Sequence, residues 1–221
     1  MGNTLAIIHT TPLTVEPLKK LAGDFLPSYD VINFVDDSIL PQLAKNGGML
    51  EEVEERLIQY ARYAEQAGAS IILNACSSVG EIVTKANEHV KVPVVRIDEA
   101  MAEEAINHGK RIGVIATLST TLKPTVKLIK EKAGECNKNV EIQAVLAEEA
   151  YQHLISGDKE SHDAILAVAL TKLASEADIV VLAQASMARV VTKLPLKQQD
   201  MFLTSPELGM ERVKKIIEGL A

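Results

Sequence analysis

Cys76 lies in the run Ser70-Ile71-Ile72-Leu73-Asn74-Ala75-Cys76-Ser77-Ser78-Val79-Gly80-Glu81, a setting in which a thiol could do chemistry. Ile71 to Leu73 is a short β-branched and aliphatic run, the pattern of a strand buried on both faces. Ser78, followed three residues later by Glu81, reads as a capping box, so a helix is expected to begin just past the strand. Cys76 then occupies the turn between a strand's carboxyl end and a helix amino terminus, the edge at which open α/β sheets bind ligands. First-turn amides and the helix dipole are expected to lower the thiol's pKa there and to attract an anion. A buried cysteine acting as a small hydrophobe fits the same run equally well. This stretch alone leaves both readings open.

The elements that must position Cys76 can be read outward from it. Leu5 to Ile8 is a first strand that ends at His9-Thr10-Thr11-Pro12, and Thr14 is expected to cap a helix with Pro17 in its first turn. Tyr29 to Val35 reads as a second strand, and a short helix is expected from Asp36-Asp37-Ser38. From Met49 to Ala67 the apolar residues Val53, Leu57, Tyr60, Ala61 and Ala64 recur at helical spacing until Gly68. Pro93 to Arg96 is a further strand, and Asp98 opens a helix that Gly109 closes.

Then the plan starts again. Arg111 to Ala116 is a strand ending at Thr117-Leu118-Ser119-Thr120, with Thr121 expected as a cap and Pro124 in the first turn. Glu141 to Val145, Ile179 to Ala183 and Met201 to Thr204 read as strands, with helices over 148–155 and 163–174 and a closing helix from Pro206. Thr10, Thr14 and Pro17 recur as Thr117, Thr121 and Pro124, each at an offset of 107 residues. A gapless slide of Ile71-Ile72 onto Val181-Leu182 places Asn74 on Gln184 and Cys76 on Ser186, an offset of 110. The expected architecture is therefore α/β with two pseudo-symmetric parallel-sheet halves from an internal duplication, residues 1–97 plus 207–221 and residues 98–206. The active site is expected in the cleft between them.

Composition narrows the function classes. The chain has 221 residues, 47% of them hydrophobic but only 3% aromatic, so Ala, Val, Ile and Leu must supply the core. A formal net charge of −7 without any Lys/Arg run argues against nucleic acid and acidic membranes as partners. No apolar stretch approaches the roughly 18 residues of a membrane span, and the amino terminus lacks a basic leader region, so a cytoplasmic, reducing location is expected. Cys76 and Cys136 sit in unlike contexts and suggest no disulfide. His89, His108, His153 and His162 are scattered, with none at ligand spacing, so no metal site is expected, and no phosphate-binding glycine pattern occurs.

The turns quoted above resemble those of the aspartate/glutamate/hydantoin racemase superfamily. Asn74-Ala75-Cys76-Ser77-Ser78 is similar to its first-cysteine motif, in which small polar residues follow the cysteine. His9-Thr10-Thr11 and Thr117-Leu118-Ser119-Thr120 fall where the family places its substrate-carboxylate turns. The resemblance implies a cofactor-independent racemase or epimerase, acting at the carbon next to the carboxylate of a small amino-acid-type acid, and a homodimer. Cys76 would be the acid–base residue. Removing the α-proton makes a dianionic, enediolate-like intermediate, so donors aimed at the carboxylate matter most. The hydroxyls of Thr10, Thr11, Ser77, Ser78, Thr117, Ser119 and Thr120 are the expected donors, with His9, Asn74, Gln184 and Met187 completing the substrate-binding set.

One departure from the family pattern matters. Where a second cysteine is expected the chain reads Ala185-Ser186-Met187, and the Ser186 hydroxyl titrates far above a thiol. Four outcomes stay open. These are asymmetric racemisation with Ser186 or a relayed water on the weak face; one-sided decarboxylation or tautomerisation by Cys76 alone; nucleophilic attack by Cys76 on an unsaturated diacid, as in the family's maleate isomerases; and a carboxylate-binding protein without catalysis.

Overall fold

The computed structural model describes residues 2–184, 187–195 and 199–219. The chain divides into two compact units, Met1–Asp98 with Pro206–Ala221, and Glu99–Ser205.

In the first unit the strands are β1 (Thr4–His9), β2 (Asp30–Val35), β3 (Ile71–Asn74) and β4 (Val94–Arg96). They form one parallel sheet in the order β2-β1-β3-β4. Helices α1 (Val15–Phe25), α2 (Ile39–Lys45), α3 (Glu51–Gln66) and α4 (Ile82–His89) supply the connections. β3 is buried along its length because its faces serve different cores. Ile72 packs with Ala6, Ile8 and residues of α2, α3 and α4, while Ile71 and Leu73 pack with Leu5, Ile7, Leu18 and Ala22. The chain's last helix, Ser205–Ile217, returns to this unit and adds Met210 and Val213 to the second of those cores. Its Gly209 is required by closeness, since an added Cβ would stand 2.6 Å from the Ile97 carbonyl oxygen.

The second unit repeats the plan with α5 (Glu99–His108), β5 (Arg111–Ala116), α6 (Ser119–Glu135), β6 (Glu141–Leu146), α7 (Glu148–Ile155), α8 (Lys159–Glu176), β7 (Ile179–Leu182), α9 (Ala188–Val191) and β8 (Phe202–Thr204). The closing Ser205–Ile217 helix is α10. This sheet is also parallel, in the order β6-β5-β7-β8. Ile115, Val180 and Leu182 pack against Leu166, Leu170 and Leu173 of α8. Among the described residues no helix is long and apolar enough to cross a membrane.

Two local expectations are corrected. No helix starts on a Ser78–Glu81 capping box; a single 3-10 turn, Ser77–Val79, intervenes, and Glu81 is the N-cap of α4 without a side-chain cap bond. Nor does Thr121 cap α6. That helix starts at Ser119 after an extended Leu118, which leaves Pro124 inside it, in the second turn. The helix there forgoes one backbone bond.

Candidate active site

Parallel strands end at one edge of each sheet, and the expected site residues sit there. In the first unit, Thr10 follows β1 and Cys76 follows β3 by two residues. The Cys76 sulfur is met by the Thr10 hydroxyl, the Ser78 N–H and hydroxyl, and the Val79 N–H. These are the groups that would hold a thiolate. Burial nevertheless outweighs them and pushes the thiol's pKa up, because desolvation disfavours the charged form. The expected lowering by a helix terminus is therefore corrected: Cys76 rests as a neutral thiol inside a nest of donors. One consequence is an order of labelling. Cys136 is exposed and Cys76 only partly so. Iodoacetamide near neutral pH is expected to modify Cys136 first, with Cys76 catching up only as the pH rises; peptide mass spectrometry over time reads this out.

Asn74, buried at the end of β3, turns its Nδ2 onto the Cys76 carbonyl at 3.1 Å, while its Oδ1 meets no hydrogen-bond partner among the described residues. It therefore braces the turn that carries the sulfur. Ser77 and Ser78 are buried in the 3-10 turn. Thr11 is half-buried and accepts from the Leu13 N–H at 3.4 Å.

His9, expected in the substrate-binding set, ends β1. It is fully buried, with Nε2 donating to Asn33 Oδ1 at 2.9 Å and Nδ1 accepting from the Thr14 hydroxyl at 2.7 Å. Both ring nitrogens are thus committed, which is why Thr14 makes no capping bond to α1. Burial lowers the His9 pKa below 6.5, against an opposing effect of the Asn33 bond. The unfolded chain therefore binds the proton first as the pH falls, so stability is present above about 6.5 and is lost from there down towards the lowered folded value. Urea midpoints taken between about pH 7.5 and about pH 5.5 are expected to fall more steeply for wild type than for His9→Gln.

A missed feature lies just behind the Cys76 turn. Arg96, at the end of β4, forks onto Asp98 with Nε–Oδ1 at 3.0 Å and Nη2–Oδ2 at 3.1 Å, both residues being buried. Gly80 closes the Cys76 turn directly over that guanidinium, where an added Cβ would come within 2.5 Å of Arg96 Nη2. The sequence signal is Arg-x-Asp straddling a strand end, where the sequence alone shows only the end of a strand and the start of a helix. The other arginines of interest are also paired, Arg111 with Asp178 and Arg189 with Asp163.

In the second unit, Thr117 is buried after β5 and donates both its N–H (2.6 Å) and its hydroxyl (2.8 Å) to Gln184 Oε1. Ser119 and Thr120 open α6, the first exposed and the second half-buried. Met187, expected in the substrate-binding set, is fully buried and packs with Ile115, Leu166 and Val190. Ser186 lies outside the described residues.

The hydrogen-bond ladders also revise the correspondence between halves. Leu5 pairs with Ile71 and Ile112 with Ile179, so β1 maps to β5 at 107 residues and β3 to β7 at 108. By that register Asn74 corresponds to Leu182 and Cys76 to Gln184. The sequence slide that joined Asn74 to Gln184 and Cys76 to Ser186 was two residues out. Among the described residues, no cluster of three or more His, Cys, Asp or Glu side chains is placed to hold a metal ion.

Comparison with known proteins fits this arrangement. A glutamate racemase of Picosynechococcus sp. is 33% identical over 100 residues, a match covering 43% of this chain and only 33% of that relative's length. Among solved structures, an aspartate racemase homologue from Pyrococcus horikoshii has a TM-score of 0.73 at 19% identity, covering 98% of this chain and 99% of its own. A glutamate racemase from Francisella tularensis, solved in complex with D-glutamate, has a TM-score of 0.72 at 17% identity, covering 99% of this chain and 82% of its own. These likenesses establish a shared fold. A family model described as Asp/Glu/Hydantoin racemase matches residues 8–211, nearly the whole chain, and the protein belongs to that family.

Proposed function

We propose that the protein catalyses cofactor-independent proton transfer at the carbon next to the carboxylate of a small, amino-acid-type acid, in the manner of a racemase or epimerase, with Cys76 as the acid–base group. The observation that carries this reading is the Cys76 sulfur beside four hydrogen-bond donors at the carboxyl edge of a parallel sheet. A thiol that is buried yet surrounded by donors rests neutral and is compensated once it ionises. In that form it can take a proton from carbon and return it. The enediolate formed meanwhile needs donors at its oxygens, and Thr11 and Ser77, in the same unit as Cys76, are the side chains we assign to that role. Family membership supports the reaction type, and the D-glutamate held by the Francisella tularensis enzyme supports an acidic amino acid as substrate.

The test is a panel of small acids in deuterium oxide, without added cofactor and with a chelator present. Both enantiomers of aspartate and glutamate, together with hydantoins, are followed by proton NMR. Loss of an α-proton signal in at least one acid is the expected result. Saturable binding with no exchange anywhere on the panel would replace the enzyme by a carboxylate-binding protein.

A further inference from the structure

The Cys76 turn meets the buried Arg96–Asp98 pair on the flat side of the guanidinium. Asn74 pairs with Arg96 in the β3–β4 ladder, where the Ile97 N–H also donates to the Asn74 carbonyl at 3.1 Å. Val94, two residues before Arg96 and so on the same face of β4, packs in one cluster with Ile72, Val79 and Ile82. Arg96 therefore leaves its strand on the face covered by the Ser77–Val79 turn and α4. Asp98 occupies the Nε–Nη2 edge of the guanidinium, at 3.0 and 3.1 Å. A Cβ on Gly80 would stand 2.5 Å from Nη2 and 2.6 Å from both Cζ and Nε. With the edge taken by Asp98, three nearly equal distances put Gly80 over the plane. The φ of Gly80 is −59°, which any residue adopts, so glycine is needed there for closeness and not for conformation.

We propose that Arg96 is a positioning residue for Cys76: its guanidinium, held flat by Asp98, is the platform on which Gly80 rests, and through Gly80 it fixes the aim of the Ser78 and Val79 N–H groups at the sulfur. The proposal rests on the reading of Cys76 given above and says how its thiolate is made available. Gly80 directly follows Val79 and donates its own N–H to the Ser77 carbonyl at 3.2 Å, so a shift of Gly80 tilts the whole turn. Asn74 fixes the other end of the turn through the Cys76 carbonyl.

The choice of an ion pair for this place supports the assignment. A buried pair is often no more stabilising than apolar residues of similar volume, so stability alone does not call for one. A guanidinium locked by a forked carboxylate is planar and rigid, and a backbone can lie against it. One cation and one anion in contact leave little net field, so their influence on the sulfur runs through the turn. That influence matters because burial opposes ionisation of Cys76 and only well-aimed donors offset it.

The experiment titrates the Cys76 thiol in a Cys136→Ser background, which leaves it the only thiol in the chain, by thiolate ultraviolet absorbance and by the pH dependence of iodoacetamide labelling. Folding is checked by circular dichroism, and α-proton exchange is followed in deuterium oxide on the same samples. The variants are Gly80→Ala, which keeps the ion pair, and Arg96→Leu with Asp98→Ala, which fills the space without a plane; Arg96→Lys replaces the double variant if that does not fold. Each is expected to hold about 10-fold less thiolate than its parent at a given pH, the effect of weakening one hydrogen bond to a charged group. Exchange is expected to fall by a like factor. In the double variant this loss persists even where urea stability is recovered, an outcome that a purely structural role would not give. Unchanged thiol titration in both variants would overturn the proposal and, with wild type exchanging, leave the Cys76 reading standing. A shift in Gly80→Ala alone would also overturn it, by placing control in the turn and not in the guanidinium. Shifted titrations with no exchange by wild type on any acid would keep Arg96 as the support of the thiol and overturn the reading of Cys76 as a catalyst.

Discussion

Cys76→Ala is expected to slow α-proton exchange by about 10²–10⁴-fold, the range that one well-placed acid–base residue contributes. Thr10, Ser78 and Val79 still present their donors, and Asn74 still holds the turn through the carbonyl of residue 76. A small acid can therefore still bind, while no group at that place can accept a proton from carbon. The loss belongs in kcat, with KM little changed. Cys76→Ser sharpens the test, because its hydroxyl fits the same donors and titrates far above a thiol; exchange is expected to be lost as completely as with alanine. In wild type the thiol's pKa is pushed up by burial, so exchange should climb with pH in step with the thiolate fraction and continue to rise past the ordinary thiol range. A rate that levels off near neutrality would mean that some other group is the base.

The second large effect concerns stability. Asp98→Ala is expected to cost about 3–5 kcal/mol, because it leaves the Arg96 guanidinium buried without its carboxylate. The Arg96 and Asp98 side chains are only 10% and 1% exposed, so water cannot substitute for the lost partner. Against a typical total of about 5–15 kcal/mol, that is a large fraction of the folding free energy. Replacing both residues, Arg96→Leu with Asp98→Ala, is expected to recover much of the loss, since a buried ion pair exchanged for apolar groups is often near neutral. Urea unfolding of the two single variants and the double variant measures this directly. Because Gly80 lies against the guanidinium, the Asp98→Ala protein should also lose activity at temperatures where it remains folded.

Much of this was legible in the residues, for identifiable reasons. Strands buried on both faces leave short β-branched runs such as Ile71 to Leu73 and Ile179 to Leu182, and both lie in central positions of the sheets. Family membership was carried by the polar residues after those runs, and the match over residues 8–211 agrees with that resemblance. What could not be read was register. Val180, Val181 and Leu182 are interchangeable apolar residues in a strand with no polar alternation, and a slip of two residues leaves every side chain on its original face. Nothing in the composition penalises that slip. Only the ladders from Leu5 to Ile71 and from Ile112 to Ile179 show that Gln184 holds in the second unit the place along the strand that Cys76 holds in the first.

Other misreadings share one physical origin, the competition between neighbours for a polar group. Ser78 has the sequence pattern of a helix cap, but its N–H and hydroxyl serve the sulfur. Thr14 also has the pattern of a cap, and its hydroxyl bonds His9. The sign of the Cys76 shift was missed for a related reason. Donors at a turn are visible in sequence, whereas the degree of desolvation depends on how the surrounding helices pack.

The measurement that bears most directly on the central claim is α-proton exchange into deuterium oxide by wild type and Cys76→Ala, side by side, at matched concentration and with folding checked by circular dichroism. The account predicts exchange of at least one small α-substituted carboxylic acid by wild type, reduced by about 10²-fold or more in the variant. Equal exchange by the two proteins would contradict it and move the chemistry away from Cys76.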